Sequence, residues 1–202
     1  MKRQFLSIIA CLLTFASISA QDAKTVLDKA SANFRKCPSV SVAYTVSNGG
    51  DSEKGNITLQ GQKFCNNMSN MTIWFDGTTM WSLNKENEEV NVTTPSASQV
   101  AKMNPYAFLA IYKKGYNVAF GKNTAQYYEV VLTAQNDKSA VKKLTVHLNR
   151  STYQPVSVVM SHQKTGDMNI TINSYKKGKK QSDSAYQFNK KKYPGVEVID
   201  LR

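Results

Sequence analysis

Residues 73–81 read IWFDGTTMW, Ile73 to Trp81, and hold both tryptophans of the 202-residue chain. Asp76-Gly77 between two short apolar runs predicts a hairpin, because a tight primed turn needs positive φ and glycine accepts it without steric cost. A two-residue loop, Asp76-Gly77, would pair Trp74 with Thr79 and Thr72 with Trp81. The indoles would then be diagonal neighbours on one face. A four-residue loop, Asp76 to Thr79, would set Trp74 directly opposite Trp81, again on one face. Ile73, Phe75, Met80 and Ser82 take the second face. A hairpin apolar on nearly both sides suits a sheet covered on both faces, or one lining a cavity.

Outward from this hairpin the chain alternates in the same way. Before it, Val40, Val42, Tyr44 and Val46 alternate with Ser41, Ala43 and Thr45, and Asn48-Gly49-Gly50-Asp51 turns the chain into a strand over Gly55 to Phe64. After it, strands are expected near 79–84 and 88–93. Further strands are expected over Tyr116 to Phe120, Tyr127 to Thr133, Val141 to Leu148, Pro155 to Met160 and Met168 to Tyr175. Residues 22–36 read as a helix with Val26, Leu27, Ala30 and Phe34 on one stripe, Asp22 as N-cap, and Cys37-Pro38 as stop. A second helical region opens at Thr94-Pro95 and again at Asn104-Pro105. Its piece from Tyr106 to Tyr112 is apolar all round, so it must be buried or lie over something apolar. Residues 21–202 therefore read as a single α+β domain of antiparallel strands with two helical patches.

Residues 1–20 read as a secretory leader, with Lys2 and Arg3 basic, Phe5 to Phe15 apolar and a small-residue end at Ala20. The alternative, a lipobox ending at Cys11, has only a short apolar stretch before it. The leader predicts export from the cytoplasm. The formal net charge is +12, of which the leader carries Lys2 and Arg3. The excess lies late, in Lys176-Lys177-Gly178-Lys179-Lys180 and Lys190-Lys191-Lys192. No aromatic residues interleave these runs, so nucleic acid is not the expected partner. Solvated turns, or docking on an acidic partner or anionic headgroups, are the two readings. Beyond the leader only Cys37 and Cys65 remain, enough for one disulfide at most.

The chemistry of an enzyme is missing from the pattern. His147 shares a strand face with Lys143 and Thr145 and reads as solvent-facing, and His162 stands at a strand end. Neither has Cys, Asp or Glu at metal-ligand spacing. Phosphate loops and a Gly-x-Ser-x-Gly elbow are absent. Glu86, Glu88 and Glu89 cluster within a polar turn. No cofactor, metal or catalytic group is expected. What the sequence has in excess is apolar surface, which either packs a core or forms a shell around an apolar interior.

Several stretches, in order, resemble the LolA family, periplasmic carriers that move lipoproteins to the bacterial outer membrane. Phe75-Asp76-Gly77-Thr78-Thr79-Met80-Trp81 is similar to the family's Asp-Gly-Lys-Thr-Leu-Trp segment. Asn104-Pro105-Tyr106-Ala107-Phe108-Leu109 is similar to its Pro-Phe-x-Leu helix. An N-terminal helix leading into a Val-x-Val-x-Tyr strand, a Gln154-Pro155 step, and the close from Phe188 to Asp200 complete the order. The resemblance implies an open (incomplete) antiparallel β-barrel of about ten to eleven strands with a helical lid over a hydrophobic cavity for acyl chains. It also implies lipid contact by Leu27 and Phe34 of the first helix, Leu59 and Phe64, Trp74 and Trp81 of the hairpin, and Tyr106, Phe108, Leu109 and Ile111 of the lid. Implied partners are acylated lipoproteins, an inner-membrane lipoprotein-releasing transporter and an outer-membrane acceptor. The membrane contacts would be transient and the carrier a monomer. The stretch Leu59-Gln60-Gly61-Gln62-Lys63-Phe64 lacks the arginine that latches the lid in the best-known members.

Overall fold

The computed structural model describes residues 22–96, 99–100, 104, 106, 109, 112–136, 139, 141–162 and 166–202. The leader expected over 1–20 and the expected lid residues Phe108 and Ile111 lie outside the described residues. A helix, α1, runs over 22–35, with Asp22 already inside its first turn rather than before it. It ends where Cys37 N–H donates to Phe34 C=O at 3.0 Å and Pro38 forbids another helical residue.

Twelve strands follow: β1 (Ser39–Asn48), β2 (Asp51–Gln60), β3 (Lys63–Met68), β4 (Met71–Phe75), β5 (Met80–Asn84), β6 (Glu89–Thr93), β7 (Tyr116–Phe120), β8 (Tyr127–Ala134), β9 (Val141–Asn149), β10 (Pro155–His162), β11 (Gly166–Gly178) and β12 (Glu197–Asp200). They form one sheet in the order β12-β6-β5-β4-β3-β2-β1-β11-β10-β9-β8-β7. The sheet is unclosed, with β7 and β12 at its two edges, as an open barrel requires.

The expected strand number was too low for two reasons. The stretch from Gly55 to Phe64 is not one strand: Gly61, at φ +60, turns the chain so that Leu59 pairs back onto Phe64. The tail adds β12, which lies parallel on β6, with Val198 opposite Val90. It is the sheet's parallel exception, and its four residues carry no alternation that marks a strand.

The hairpin takes the four-residue loop. Trp74 stands opposite Trp81 and Phe75 opposite Met80. Asp76 Oδ1 accepts the N–H groups of Thr78 at 3.0 Å and Thr79 at 2.9 Å, and Gly77 supplies φ +105. The aspartate thus closes the turn with its side chain, which a two-residue loop has no room for.

Registers align one continuous apolar face across the sheet. Val40, Val42, Ile57, Leu59, Phe64, Ile73 and Phe75 carry it from β1 to β4. Val130, Leu132, Leu144, Val146 and Val158 carry it across β8 to β10. All are buried in one cluster with Ala23, Val26, Leu27 and Ala30 of α1. Burying each large side chain is worth ~1.5–3 kcal/mol, so this face is where the fold's stability concentrates.

Candidate functional site

Above that face lie α1 and the described residues of the segment between β6 and β7, Tyr106, Leu109 and Tyr112, all three buried. The stripe of α1 that faces the sheet is the one its sequence spacing marks. Phe34 stacks on Tyr106 with centroids 5.6 Å apart, and Tyr106 meets Tyr175 of β11 at 6.3 Å. Polar contacts tie the segment to the helix. Ser31 Oγ donates to Leu109 C=O at 3.3 Å, Arg35 donates to Ser31 Oγ at 2.7 Å, and Tyr112 OH donates to Asp28.

Electrostatically the face is quiet. Burial holds the Tyr106 hydroxyl well above its ordinary range, and burial with Cys37 alongside pushes Tyr175 up to about 12. Burial, then the Asp28 carboxylate, raises Tyr112 as well. These phenols stay protonated at neutral pH, so the cover closes on the face with dipoles and no ionised phenolate. Such a face suits an apolar ligand.

The expected contact residues divide. Leu27, Leu59, Phe64, Tyr106 and Leu109 are buried in the main cluster and Phe34 packs against it. Trp74 and Trp81 are on the other side of the sheet. There Trp74, Leu83, Val90 and Val196 form a second cluster, with Trp81, Phe188 and Tyr193 packed against it. Trp74 meets Phe188 and Tyr193 edge-on, each at 5.7 Å. The hairpin face that joins the main cluster is Ile73, Phe75 and Met80. The hairpin is therefore covered on both faces, by α1 and its neighbours on one and by the tail on the other.

Sequence reasoning did not name the β8 to β10 half of the face as part of the site, although its alternating Val and Leu would have found it. It also left His147 solvent-facing and alone. His147 is half-buried, with Ser157 Oγ at 2.9 Å from Nδ1 and Glu129 Oε2 at 3.0 Å from Nε2. Strand register alone aligns Glu129, His147 and Ser157, which are distant in sequence. Their placement is on the sheet face away from α1. Cys37 and Cys65 are both free thiols, the first against the main cluster and the second against the tryptophan cluster. Among the described residues no group of His, Cys, Asp and Glu could hold a metal ion. No described helix is long and apolar enough to cross a membrane.

An unclosed sheet thus keeps an apolar face buried beneath a helix. A family model described as outer membrane lipoprotein carrier protein LolA matches residues 12–164, and the chain belongs to that family. The solved structure of an uncharacterized conserved protein from Thermus thermophilus is similar, at TM-score 0.63 and 7% identity, covering 89% of this chain and 99% of that one. Lipoprotein LppX of Mycobacterium tuberculosis aligns at TM-score 0.49 and 12% identity, covering 79% and 98%. A LolA superfamily protein from Nitrosomonas europaea aligns at TM-score 0.45 and 13% identity, covering 82% and 97%. The likeness of fold rests on the Thermus protein. No match was found among curated proteins.

Proposed function

We propose that this protein is a periplasmic carrier that binds the acyl chains of lipoproteins and ferries them from the inner to the outer membrane. The observation that carries the reading is the continuous apolar face from β8 to β4, closed by α1 and by Tyr106, Leu109 and Tyr112. Family membership supports the cargo class. Acyl chains would replace the cover's own contacts with the sheet and lie between the two, against Leu27, Phe34, Leu59, Phe64, Tyr106 and Leu109, with Phe108 and Ile111 completing the lid. Each methylene buried contributes about 0.8 kcal/mol, so a chain exchanges for the cover at small net cost. Trp74 and Trp81 would then act from behind, holding β4 and β5 in register.

In this reading residues 1–20 are the cleaved leader and residues 21–202 the working domain. The releasing transporter at the inner membrane and the acceptor at the outer membrane are its partners, and it works as a monomer without cofactor. The test is native mass spectrometry of the protein purified from its own envelope, followed by denaturing analysis of whatever is bound. One-to-one complexes with acylated lipoproteins are expected.

A second reading is a noncatalytic lipid-sensing or partner-binding module of the same fold. It is favoured by one observation, the missing arginine in Leu59 to Phe64, where carriers of the best-known type latch their lid. A ligand-free protein that also rejects fluorescent fatty-acid probes would establish the partner-binding module in place of the carrier.

A further inference from the structure

We propose that the protein docks on anionic membrane surfaces through one end of the sheet, where β1 and β3 begin and β11 finishes. The topology collects positive charge there from separate parts of the chain. Gly178 pairs with Ser39, so Lys176 and Lys177 stand beside the start of β1. Ser39 Oγ donates to Lys179 C=O at 2.7 Å and Gln181 N–H donates to Gln60 Oε1 at 2.8 Å, which fixes the rest of the run to β1 and β2. Arg35 and Lys36 at the end of α1 lead directly into β1. The β7–β8 and β9–β10 turns bring Lys122 and Arg150 to the same end, because Tyr127 pairs with Asn149. Lys36, Lys176, Lys177, Lys179 and Lys180 are all exposed.

Carboxylates do not neutralise this end. Asp183 is engaged by Lys63 at 2.8 Å, with Lys180 adding to the field on it. Asp76 accepts from its own turn, and Glu129 from Lys122 N–H and from His147. Among the described residues the ion pairs are Lys63–Asp183, His147–Glu129 and Arg202–Asp200. None includes the 176–180 run. At the opposite end, the described residues Asp51, Glu53, Glu86, Glu88, Glu89, Asp167 and Glu197 stand with Lys54, Lys85, Lys113, Lys114, Lys142 and Lys143, so the charges there nearly cancel. Lys85 is moreover occupied by Asn67 Oδ1 and the carbonyls of Met68 and Ser69. Among the described residues the surplus of cations is thus polarised along the strand direction.

Exposed lysines spread over several elements, with no aromatic side chains among them, fit a laterally mobile array of headgroup phosphates better than one bound molecule or a nucleic acid strand. The orientation also has a use. Phe34 and Tyr175, which both pack on Tyr106, immediately precede Arg35 and Lys176 in the chain. Docking by this end would set the contact between α1 and its covering segment beside the headgroups. The inference does not depend on acyl binding, and either can fail without the other.

The test is co-sedimentation of the purified protein with vesicles of phosphatidylcholine alone and of phosphatidylcholine mixed with phosphatidylglycerol. Binding is expected only to the mixed vesicles and is expected to fall away by ~0.5 M salt, where screening is short-ranged. The variant K176Q/K177Q/K179Q/K180Q should bind at least about tenfold more weakly. A variant of equal charge loss elsewhere, K24Q/K54Q/K114Q/K192Q, should stay within about twofold of the parent. Thermal midpoints of both variants identify any that fail to fold, and a single-charge series over the same four lysines then replaces the quadruple variant. Equal binding to neutral vesicles, equal loss in both quadruple variants, or retention on an acidic peptide without vesicle binding would overturn the proposal.

Discussion

The ring of Tyr44 occupies the place that a side chain on its cross-strand partner Gly55 would need. A Cβ at Gly55 would stand 2.4 Å from Tyr44 Cζ and 2.5 Å from its hydroxyl oxygen. The glycine is thus a packing requirement rather than a turn signal, and it lets the Tyr44 hydroxyl reach Asn66 Oδ1 at 2.7 Å. Gly55→Ala should push the ring aside and lower stability by ~1–3 kcal/mol, as overpacking does. Tyr44→Phe, which keeps the ring, should cost only ~1 kcal/mol. Urea midpoints of the two variants check the order; equal values would mean the ring is free to move.

The contacts of Ser31 with Leu109 and of Tyr112 with Asp28, which tie α1 to the segment over the sheet, should hold the closed state. Each hydrogen bond is worth ~1 kcal/mol, and that stabilisation must be given up before a ligand displaces the cover. Ser31→Ala or Tyr112→Phe should therefore tighten binding of a fluorescent fatty acid by roughly fivefold. Weaker binding would show instead that the contacts belong to the liganded state.

Acid should weaken the β8–β9–β10 region through Glu129. The N–H of Lys122 first, then His147, hold its carboxyl below the ordinary glutamate range. A depressed folded pKa contributes stability that is present above the unfolded value of about 4.3 and is lost as pH falls through the folded value. Between these two values Glu129→Gln should show a flatter dependence of urea midpoint on pH than the parent. Parallel curves would mean that the carboxylate gains nothing from its partners.

Phe188→Ala should expose Trp74 from the tail side, shifting tryptophan emission to the red while leaving fatty-acid binding intact. Loss of binding in the folded variant would show that the tail face participates in ligand contact. The same region shields Cys65, whose thiol burial pushes up to about 11. Alkylation of Cys65 at pH 8 should be slow until urea is added, and both cysteines should then titrate as thiols.

The strands from Tyr116 to Tyr175 were legible because Val, Leu and Ile alternate with polar residues there, and one face is solvated. The sharing of one face by Trp74 and Trp81 was equally legible, since either even loop gives it. Which face they share was not. That is settled by where Phe188 and Tyr193 dock, a tertiary contact with no local signature. Register-dependent features were hidden for a like reason: Glu129, His147 and Ser157 meet only because β8, β9 and β10 align them. The parallel strand β12 was invisible because Glu197–Asp200 pairs over so few residues that no period develops.

The pairing of β1 with β11 gives the molecule a seam. On one side, β1 through β6 form a meander of neighbouring hairpins; on the other, β7 through β11 do the same. The two halves join where Ser39 meets Gly178. Local hairpins close quickly, whereas a junction between such distant stretches must wait for a long loop to close. Folding should therefore produce two half-sheets before one whole, with the free edge of β1 open to misdirected pairing in the interval. A chain made N-terminus first exposes that edge until β11 is complete, which gives a holdase chaperone a defined stretch to shield.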